Sequence, residues 1–187
     1  MPFVYAIEGA PATPYSTSAT PNTEDPTLVI RQATRGVDLQ AIYVLGRGAA
    51  LTAITGIGYR VRRWTTAGTG GTAITPAPRR IGTTASTTAA DKQTAITPGT
   101  VSGAYQLSFG CGAAGPGGWV ARDADSAIHL EGGSSDELNI NSVSGVASML
   151  HSVSAEIAAM VRAAQAGPLG ASVADALLRG PGNPLRN

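Results

Sequence analysis

The chain has 187 residues, which suffices for one domain with a substantial core, and only 13% of them are charged, against about a quarter in an average soluble protein. The formal net charge is +1, from 13 basic and 12 acidic residues, so the chain has no overall field that would gather nucleic acid or anionic lipid. The single cysteine excludes an intrachain disulfide framework and a cysteine-based zinc site, and no apolar run reaches the roughly 18 residues of a membrane span.

Residues 1–26 predict a short strand followed by an extended arm. A strand-like run, FVYAI, begins at residue 3, and the segment 11–26, PATPYSTSATPNTEDP, holds four prolines among small polar residues. Because proline lacks a backbone donor and favours turns, this segment is predicted to lie outside the core. The N-terminus lacks the basic and apolar regions of a signal peptide, so we expect synthesis in a cytoplasm.

From residue 27 onward, apolar and polar residues alternate, which places successive side chains on opposite faces of strands. The candidate strands are 27–33, 37–46, 56–64, 104–110, 127–132, 137–141 and 149–157. Short strands separated by Gly, Pro and Ser/Thr turns predict an all-β sandwich or barrel.

Three of these strands carry a specific prediction of which residues share a face. In 56–64 the apolar residues at 57, 59 and 61 are expected to be buried, and Arg60, Arg62 and Trp64 to face solvent. In 149–157, His151 lies among the residues of the core face. The residues of 37–46 that are expected to share one face are Val37, Leu39, Ala41, Tyr43 and Leu45.

Three copies of TAIT, at 52–55, 72–75 and 94–97, raise the question of an internal repeat. The copies lie 20 and 22 residues apart and their flanks share almost nothing, whereas a true repeat keeps its period over the whole unit. Each copy is therefore interpreted as a β-branched strand end closed by Gly or Pro. The aperiodic segment 77–93 is predicted to be a long exposed loop, and the Gly-rich pieces 67–71 and 115–118 to be turns.

A helical pattern is found only in the C-terminal segment 159–187. Ser172 and Asp175 have the spacing of a capping box, and Gly180 is a candidate C-cap. Leu177 and Leu178 belong to a narrow apolar stripe. Because a helix of two turns is unstable alone in water, this short helix is expected to dock on its own domain or on another molecule.

The residues that could carry catalysis lack the patterns that catalysis needs. Cys111 lies in a Gly-rich stretch without a nucleophile signature, and His151 is interpreted as a packing or subunit-interface residue. Asp123 and Asp125 have the spacing of a short Ca²⁺ loop, but the other ligands are missing, so a solvated turn is predicted. We therefore expect no enzyme, no metal site and no cofactor.

Arginines form the sharpest local charge feature of the sequence. They are suited to bidentate pairing with carboxylates at an interface. A solvated strand face with scattered ion pairs is the other interpretation, and both stay open. The members of this cluster are Arg60, Arg62, Arg63, Arg79 and Arg80.

A resemblance to a known family rests on the order of several stretches between residues 27 and 158. These stretches are VRRWTTAGTGGTAITPAPRR, SGAYQLSFGCGAAGPGGWVARD, SAIHLEGG and the closing HSVSAEIA. Together they resemble the capsid decoration, or cement, proteins of tailed bacteriophages. The resemblance implies a jelly-roll-like antiparallel β-sandwich that assembles as a trimer on the outside of an icosahedral head and braces the major capsid protein. The segments 8–26 and 159–187 depart from that family's compact pattern.

The sequence thus predicts three parts: an N-terminal strand and arm (1–26), a β-sandwich domain (27–158) and a tail with a short helix (159–187). The expected function is that of a structural virion protein, with the major capsid protein and further copies of itself as partners and without nucleic acid or membrane. The terminal segments are expected to contact other subunits, with Leu177 and Leu178 as apolar anchors and Arg60 and Arg62 as a polar contact.

Two other classes of function stay open at this stage. One is a tail or fibre module that binds a host receptor or glycan, for which Trp119 and Tyr15 would supply the stacking aromatic rings. The other is a hydrolase that uses Cys111 or a pair of acids.

Overall fold

The computed structural model describes residues 3–9, 15–31, 36–47, 56–79, 89–92, 96–101, 103, 105–131 and 137–159. These ranges contain thirteen β-strands, and none of their residues belongs to a helix long and apolar enough to cross a membrane. The strands are β1 (Phe3–Gly9), β2 (Tyr15–Ser16), β3 (Asp25–Arg31), β4 (Val37–Gly46), β5 (Gly56–Trp64), β6 (Thr72–Ile74), β7 (Ala77–Pro78), β8 (Ala89–Lys92), β9 (Leu107–Gly112), β10 (Pro116–Val120), β11 (Ile128–Leu130), β12 (Glu137–Ser144) and β13 (Leu150–Ala159).

The strands form two antiparallel sheets. The first sheet has the order β10-β4-β13-β1-β7, with β11 also paired to β4 and β2 to β13. The second has the order β6-β8-β3-β12-β5-β9. The all-β prediction is confirmed, and the finer jelly-roll connectivity stays a prediction.

The core is built from the inward residues of both sheets. In β13 the inward residues are His151, Val153, Ala155 and Ile157, and each of them is at most 1% exposed. The inward residues of β5 are the apolar ones that the alternation predicted. Burying a large aliphatic side chain contributes about 1.5–3 kcal/mol, so this alternation is a main source of stability.

Some side chains of β4 face the opposite way from the one that the apolar–polar alternation predicts, because the strand contains a bulge. Glu156 pairs with Ala41 whereas Ile157 pairs with Leu39, so Gln40 is an extra residue in β4. An extra residue moves every following side chain to the other face. Val37 and Leu39 point into the core as expected, but beyond the bulge the core residues are Ile42 and Val44. Tyr43 and Leu45 are consequently 44% and 42% exposed on the outer face.

Two segments predicted to lack strands contain them. Residues 115–118 were expected to form a turn, but most of them belong to β10. The glycines serve close approach, since a Cβ on Gly117 would lie 2.5 Å from the Gly110 carbonyl oxygen and one on Gly118 would lie 2.4 Å from that of Ile42. The predicted loop 77–93 includes β7 and β8, and β8 lies between β6 and β3.

The N-terminal residues pack more closely on the body than an arm outside the core would. β1 lies between β13 and β7, and Tyr15 and Thr17 are only 4% and 3% exposed. Thr17 donates from its backbone nitrogen to the Met149 carbonyl oxygen at 2.9 Å, and the Met149 nitrogen donates to Thr17 Oγ1 at 2.9 Å. Thr17 therefore continues the pairing of β2 with the beginning of β13.

Trp64 is 1% exposed, although its position in β5 predicted a solvent-facing side chain. Residues 65–69, with Gly68 against the indole ring, are bonded to residues 97–101, and the Thr65 nitrogen donates to the Thr100 carbonyl oxygen at 2.9 Å. We call these two segments the covering loops. The buried Glu137 carboxylate fixes the position of the first covering loop, because it accepts a hydrogen bond from the Gly68 nitrogen at 3.0 Å. The same carboxylate pairs with Arg31 at 2.6 Å.

Candidate interaction surfaces

The residues considered for nucleophilic catalysis lie in the core. Tyr59 and His151 are both 0% exposed, and the Tyr59 hydroxyl shares a hydrogen bond of 2.9 Å with His151 Nδ1. Burial lowers the pKa of His151 to about 4 and raises the pKa of the Cys111 thiol. A nucleophilic cysteine needs an accessible thiolate. The packing role predicted for His151 is confirmed, and the protonated Cys111 thiol also belongs to the interior.

The Asp123 loop is a turn, as predicted. Asp123 Oδ1 accepts from the Ser126 nitrogen at 2.8 Å, and Ser126 Oγ donates to the Asp123 carbonyl oxygen at 3.0 Å. Among the described residues there is no group of three or more side chains placed to hold a metal ion.

Arg60 and Arg62 lie together on the outer face of the second sheet, where they enclose one carboxylate. We call Glu24, Arg60, Arg62, Tyr105 and Asn141 the Glu24 cluster. Glu24 Oε1 accepts from Arg60 at 2.5 Å, from Arg62 at 3.1 Å and from the Tyr105 hydroxyl at 2.6 Å. Glu24 Oε2 accepts from Asn141 Nδ2 at 3.3 Å. Arg60 and Asn141 both reach the Glu24 carboxylate because they lie directly opposite each other in the pairing of β5 with β12.

Tyr105 contacts both guanidinium groups with its ring as well as its hydroxyl. The Cζ atoms of Arg60 and Arg62 lie 4.6 and 4.1 Å from the ring centroid, within the range of a cation–π contact. Burial by itself would raise the pKa of Glu24, but the hydrogen bonds from Tyr105 and Arg60 and the charges of Arg62 and Arg60 outweigh it and lower that pKa below 4.5. The two arginines therefore have partners within the chain, and another protein could use them only by sharing or replacing Glu24.

The outer face of the first sheet is a second candidate surface, and we call it the first-sheet face. Its centre consists of outward residues from β10, β4 and β13, most of which are uncharged, and Glu156 of β13, which lies opposite Ala41 of β4, is the charged exception. The uncharged central residues are Ala41, Tyr43, Leu45, Pro116, Gly118, Val120, Leu150, Ser152 and Ser154. Glu156 forms an ion pair with Arg79, and Asp38 and His129 share a hydrogen bond of 2.6 Å at one end of β4.

The exposed part of this face is apolar and uneven. Val120, Leu150 and Val4 are 58%, 43% and 37% exposed, in addition to Tyr43 and Leu45. A shallow groove of about 110 Å³ runs between the two strands at its centre, lined by residues that include Tyr43, Leu45, Ser152 and Ser154. Scattered exposed apolar side chains are normal, but several on one sheet face are typical of an interaction surface.

Only part of one of these two surfaces could be predicted from the sequence. Arg60 and Arg62 are marked in the sequence by their charge. No pattern in the sequence predicts that Glu24 and Tyr105 contact them. Leu177 and Leu178 lie outside the described residues, as does the predicted helix at 172–180. The first-sheet face was missed because the bulge in β4 turned Tyr43 and Leu45 outward. In comparisons with protein-family models, curated proteins and solved structures, no match to the chain was found.

Proposed function

We propose that this chain is a structural virion protein that decorates and stabilises an icosahedral bacteriophage head. It acts outside the shell by binding the lattice of the major capsid protein as a homo-oligomer, for which the resemblance implies a trimer. The protein would be made in the host cytoplasm and would reside on the outer surface of the virion. No chemical step is part of this role.

The observation that supports this proposal best is the first-sheet face on a two-sheet body. A sheet face with five exposed large apolar side chains and few charges suits protein contacts better than the capture of a charged ligand. On a symmetric shell each contact is repeated many times, so a contact of modest affinity is strengthened by effective concentration. The low charge content of 13% agrees with a surface made for packing against proteins.

The first test is quantitative mass spectrometry of gradient-purified particles from the source of this chain. We expect its copy number to equal that of the major capsid protein or a simple fraction of it. A few copies per particle would indicate a tail component instead, and absence from purified particles would contradict the proposal.

The second test addresses the C-terminal segment. Deleting residues 160–187 leaves β13 intact, so we expect the chain to stay folded and to bind purified heads poorly. Unchanged binding of the truncated chain would show that the tail, with Leu177 and Leu178, is not an anchor.

The alternative of a receptor- or glycan-binding tail module was predicted to use the aromatic rings of Trp119 and Tyr15. Tyr15 is 4% exposed, and burial raises its pKa to about 12. Trp119 packs partly buried against the core. The exposed rings among the described residues include Tyr43 and Tyr105, at 44% and 40%, so this function stays the alternative.

A further inference from the structure

We propose that residues 15–24 form a strap that acid releases from the rest of the protein while both sheets stay folded. The strap is attached at two places, by the contact of Tyr15 with His151 and by the entry of Glu24 into the Glu24 cluster. Its only regular element is the two-residue strand β2. This switch lies outside the proposed function and does not depend on it.

The first part of the strap pairs with the beginning of β13. Tyr15 lies directly opposite His151, and the centroids of the two rings are 5.9 Å apart. The next contact is the pair of hydrogen bonds between Thr17 and Met149. The strand order of the first sheet runs from β13 directly to β1 and does not pass through β2. Release of the strap therefore leaves the pairing of the other strands in place.

A tight turn carries the strap from the first sheet to the second. The Thr23 nitrogen donates to the Thr20 carbonyl oxygen at 3.3 Å, and Asn22, which follows a proline, has a φ of 59°. A positive φ suits the third residue of a type II turn. The Asn22 nitrogen donates to the carbonyl oxygen of Ser144, the last residue of β12, at 2.8 Å. Beyond the turn, the Glu24 carboxylate enters its cluster on the second sheet.

The first attachment is sensitive to protons because it contains His151. The titratable groups around this ring are Tyr59 and Tyr15, whose rings contact it, and the Cys111 thiol, which hydrogen-bonds to Tyr59. Burial lowers the pKa of His151 to about 4, and a backbone contact from Ser16 opposes this shift only in part. We expect release of Tyr15 to admit water to the ring and to return the pKa towards its ordinary 6.5.

The second attachment responds to acid in the same direction. Burial by itself would raise the pKa of Glu24, but the groups that face it, Tyr105, Arg60 and Arg62, outweigh burial and hold that pKa below 4.5. In a released strap the carboxylate is solvated, so its pKa returns to the ordinary value. A group whose pKa rises on release binds its proton more tightly in the released state, so acid favours release at both attachments. Release also frees Arg60 and Arg62, the predicted polar contact with another subunit.

His151 determines the size of the effect. With a pKa of about 4 in the attached state and 6.5 in the released state, the equilibrium constant for release rises about a hundredfold between pH 7 and pH 4. Glu24 adds to this rise below pH 4.5. β2 pairs with β13 over two residues, whereas β12 pairs along its length with both β3 and β5. The strap therefore opens locally at a lower free-energy cost than the unfolding of the sheets.

Amide hydrogen exchange of the full chain, measured by NMR spectroscopy at pH 7 and pH 4, tests this switch. The strap is monitored by the amides of Thr17, Asn22 and Met149, and the sheets by those of β12. We expect the protection factors of the strap to fall about a hundredfold between the two pH values. At pH 4 they should be at least about tenfold below those of β12, because the strap opens without the sheets. Circular dichroism at pH 4 establishes that the sheets are folded.

Two results with the wild-type chain would overturn the inference. Equal protection of the strap and of β12 at pH 4 would mean that the strap opens only when the whole protein unfolds. Protection of the strap that does not change with pH would mean that release takes up no proton. Neither comparison depends on how a variant folds.

His151→Gln tests which group carries the response. We expect the fall in strap protection between pH 7 and pH 4.5 to disappear in this variant, even where the strap is less protected overall, because the pH dependence reports the titration. His129→Gln is the matched control, since it replaces the other histidine of the chain, whose side chain is 36% exposed at one end of β4. An unchanged fall in His151→Gln, or an equal loss of it in His129→Gln, would also overturn the inference.

Discussion

Glu24 joins parts of the chain that are far apart in sequence, because its carboxylate accepts hydrogen bonds from Arg60, Tyr105 and Asn141. The side chain is 21% exposed, so solvent screens these contacts only partly. Hydrogen bonds to charged groups contribute about 1.5–3 kcal/mol each when they are well placed. The cluster is therefore expected to stabilise the protein whether or not it contacts a partner.

Glu24→Gln removes the charge and keeps the shape, so we expect the free energy of unfolding at pH 7 to fall by about 1–3 kcal/mol. The pKa of Glu24 is lowered in the folded state, so its contribution is complete above pH 4.5 and is lost as the pH falls through the folded-state pKa. Urea denaturation at pH 7 and pH 3 measures this difference. The exposed Asp125→Asn is the control, and an equal effect at both pH values would contradict the prediction.

His151 predicts a pH dependence of stability in a different window. Burial lowers its pKa to about 4 from an ordinary 6.5, so between these values the unfolded chain binds a proton that the folded chain does not. Stability should therefore fall by roughly 3 kcal/mol as the pH drops from 6.5 to 4. His151→Gln should abolish that slope in urea denaturation. Tyr59→Phe should lower stability but keep the slope, because burial and not the Tyr59 hydroxyl causes the shift.

At the scale of elements, the covering loops depend on a glycine. A Cβ on Gly68 would lie 2.6 Å from the Trp64 ring and 2.7 Å from the Thr97 carbonyl oxygen. Gly68→Ala should push the loops away from the indole and reduce stability by about 1–3 kcal/mol, measured by denaturant unfolding and by Trp fluorescence. Gly112→Ala is the control, since its Cβ would have no neighbour within 4 Å. Equal effects of the two substitutions would contradict this account.

Strands were predicted best where apolar and polar side chains alternate regularly. β5 was predicted with correct ends because its inward residues alternate without interruption. The face of β4 was predicted only as far as Leu39, because a bulge depends on pairing with β13 and leaves no mark on the alternation itself. β12 continues to Ser144, past its predicted end at Asn141. The end was predicted too early because Asn139 and Asn141 are typical of loops. Both side chains are nevertheless buried.

The interaction surfaces were harder to predict than the strands. Charge marks Arg60 and Arg62 in the sequence, but their partner Glu24 lies 36 residues before Arg60, in a segment predicted to be an arm. Ion pairs across such a separation follow from sheet topology and not from local spacing. The first-sheet face likewise depends on sheet topology, which places the large outward side chains of β4 beside the small serine side chains of β13.

For the whole molecule, the pairing of β1 with β13 makes the N-terminal strand part of the core. Deleting residues 1–9 removes a strand from the middle of the first sheet together with Tyr5 and Ile7, which are 5% and 0% exposed. We expect the cooperative thermal unfolding transition to disappear in circular dichroism. Two single variants refine the test: Ile7→Ala should cost about 2–5 kcal/mol, and the outward Val4→Ala much less. A truncated chain that unfolds cooperatively would show that β1 is dispensable.

The same arrangement constrains how the protein is made. β12 is a central strand of the second sheet and β13 of the first, so neither sheet can close before the ribosome has added these late residues. At roughly 5–20 residues per second, roughly 7–27 s separate the synthesis of Asp25, where β3 begins, from that of Ala159, where β13 ends. Until then β3, β4 and β5 have unpaired backbone edges that invite pairing with other nascent chains. We therefore expect neither sheet to form before β12 and β13 have been synthesised, and chaperones that shield extended strands to determine the yield of native protein.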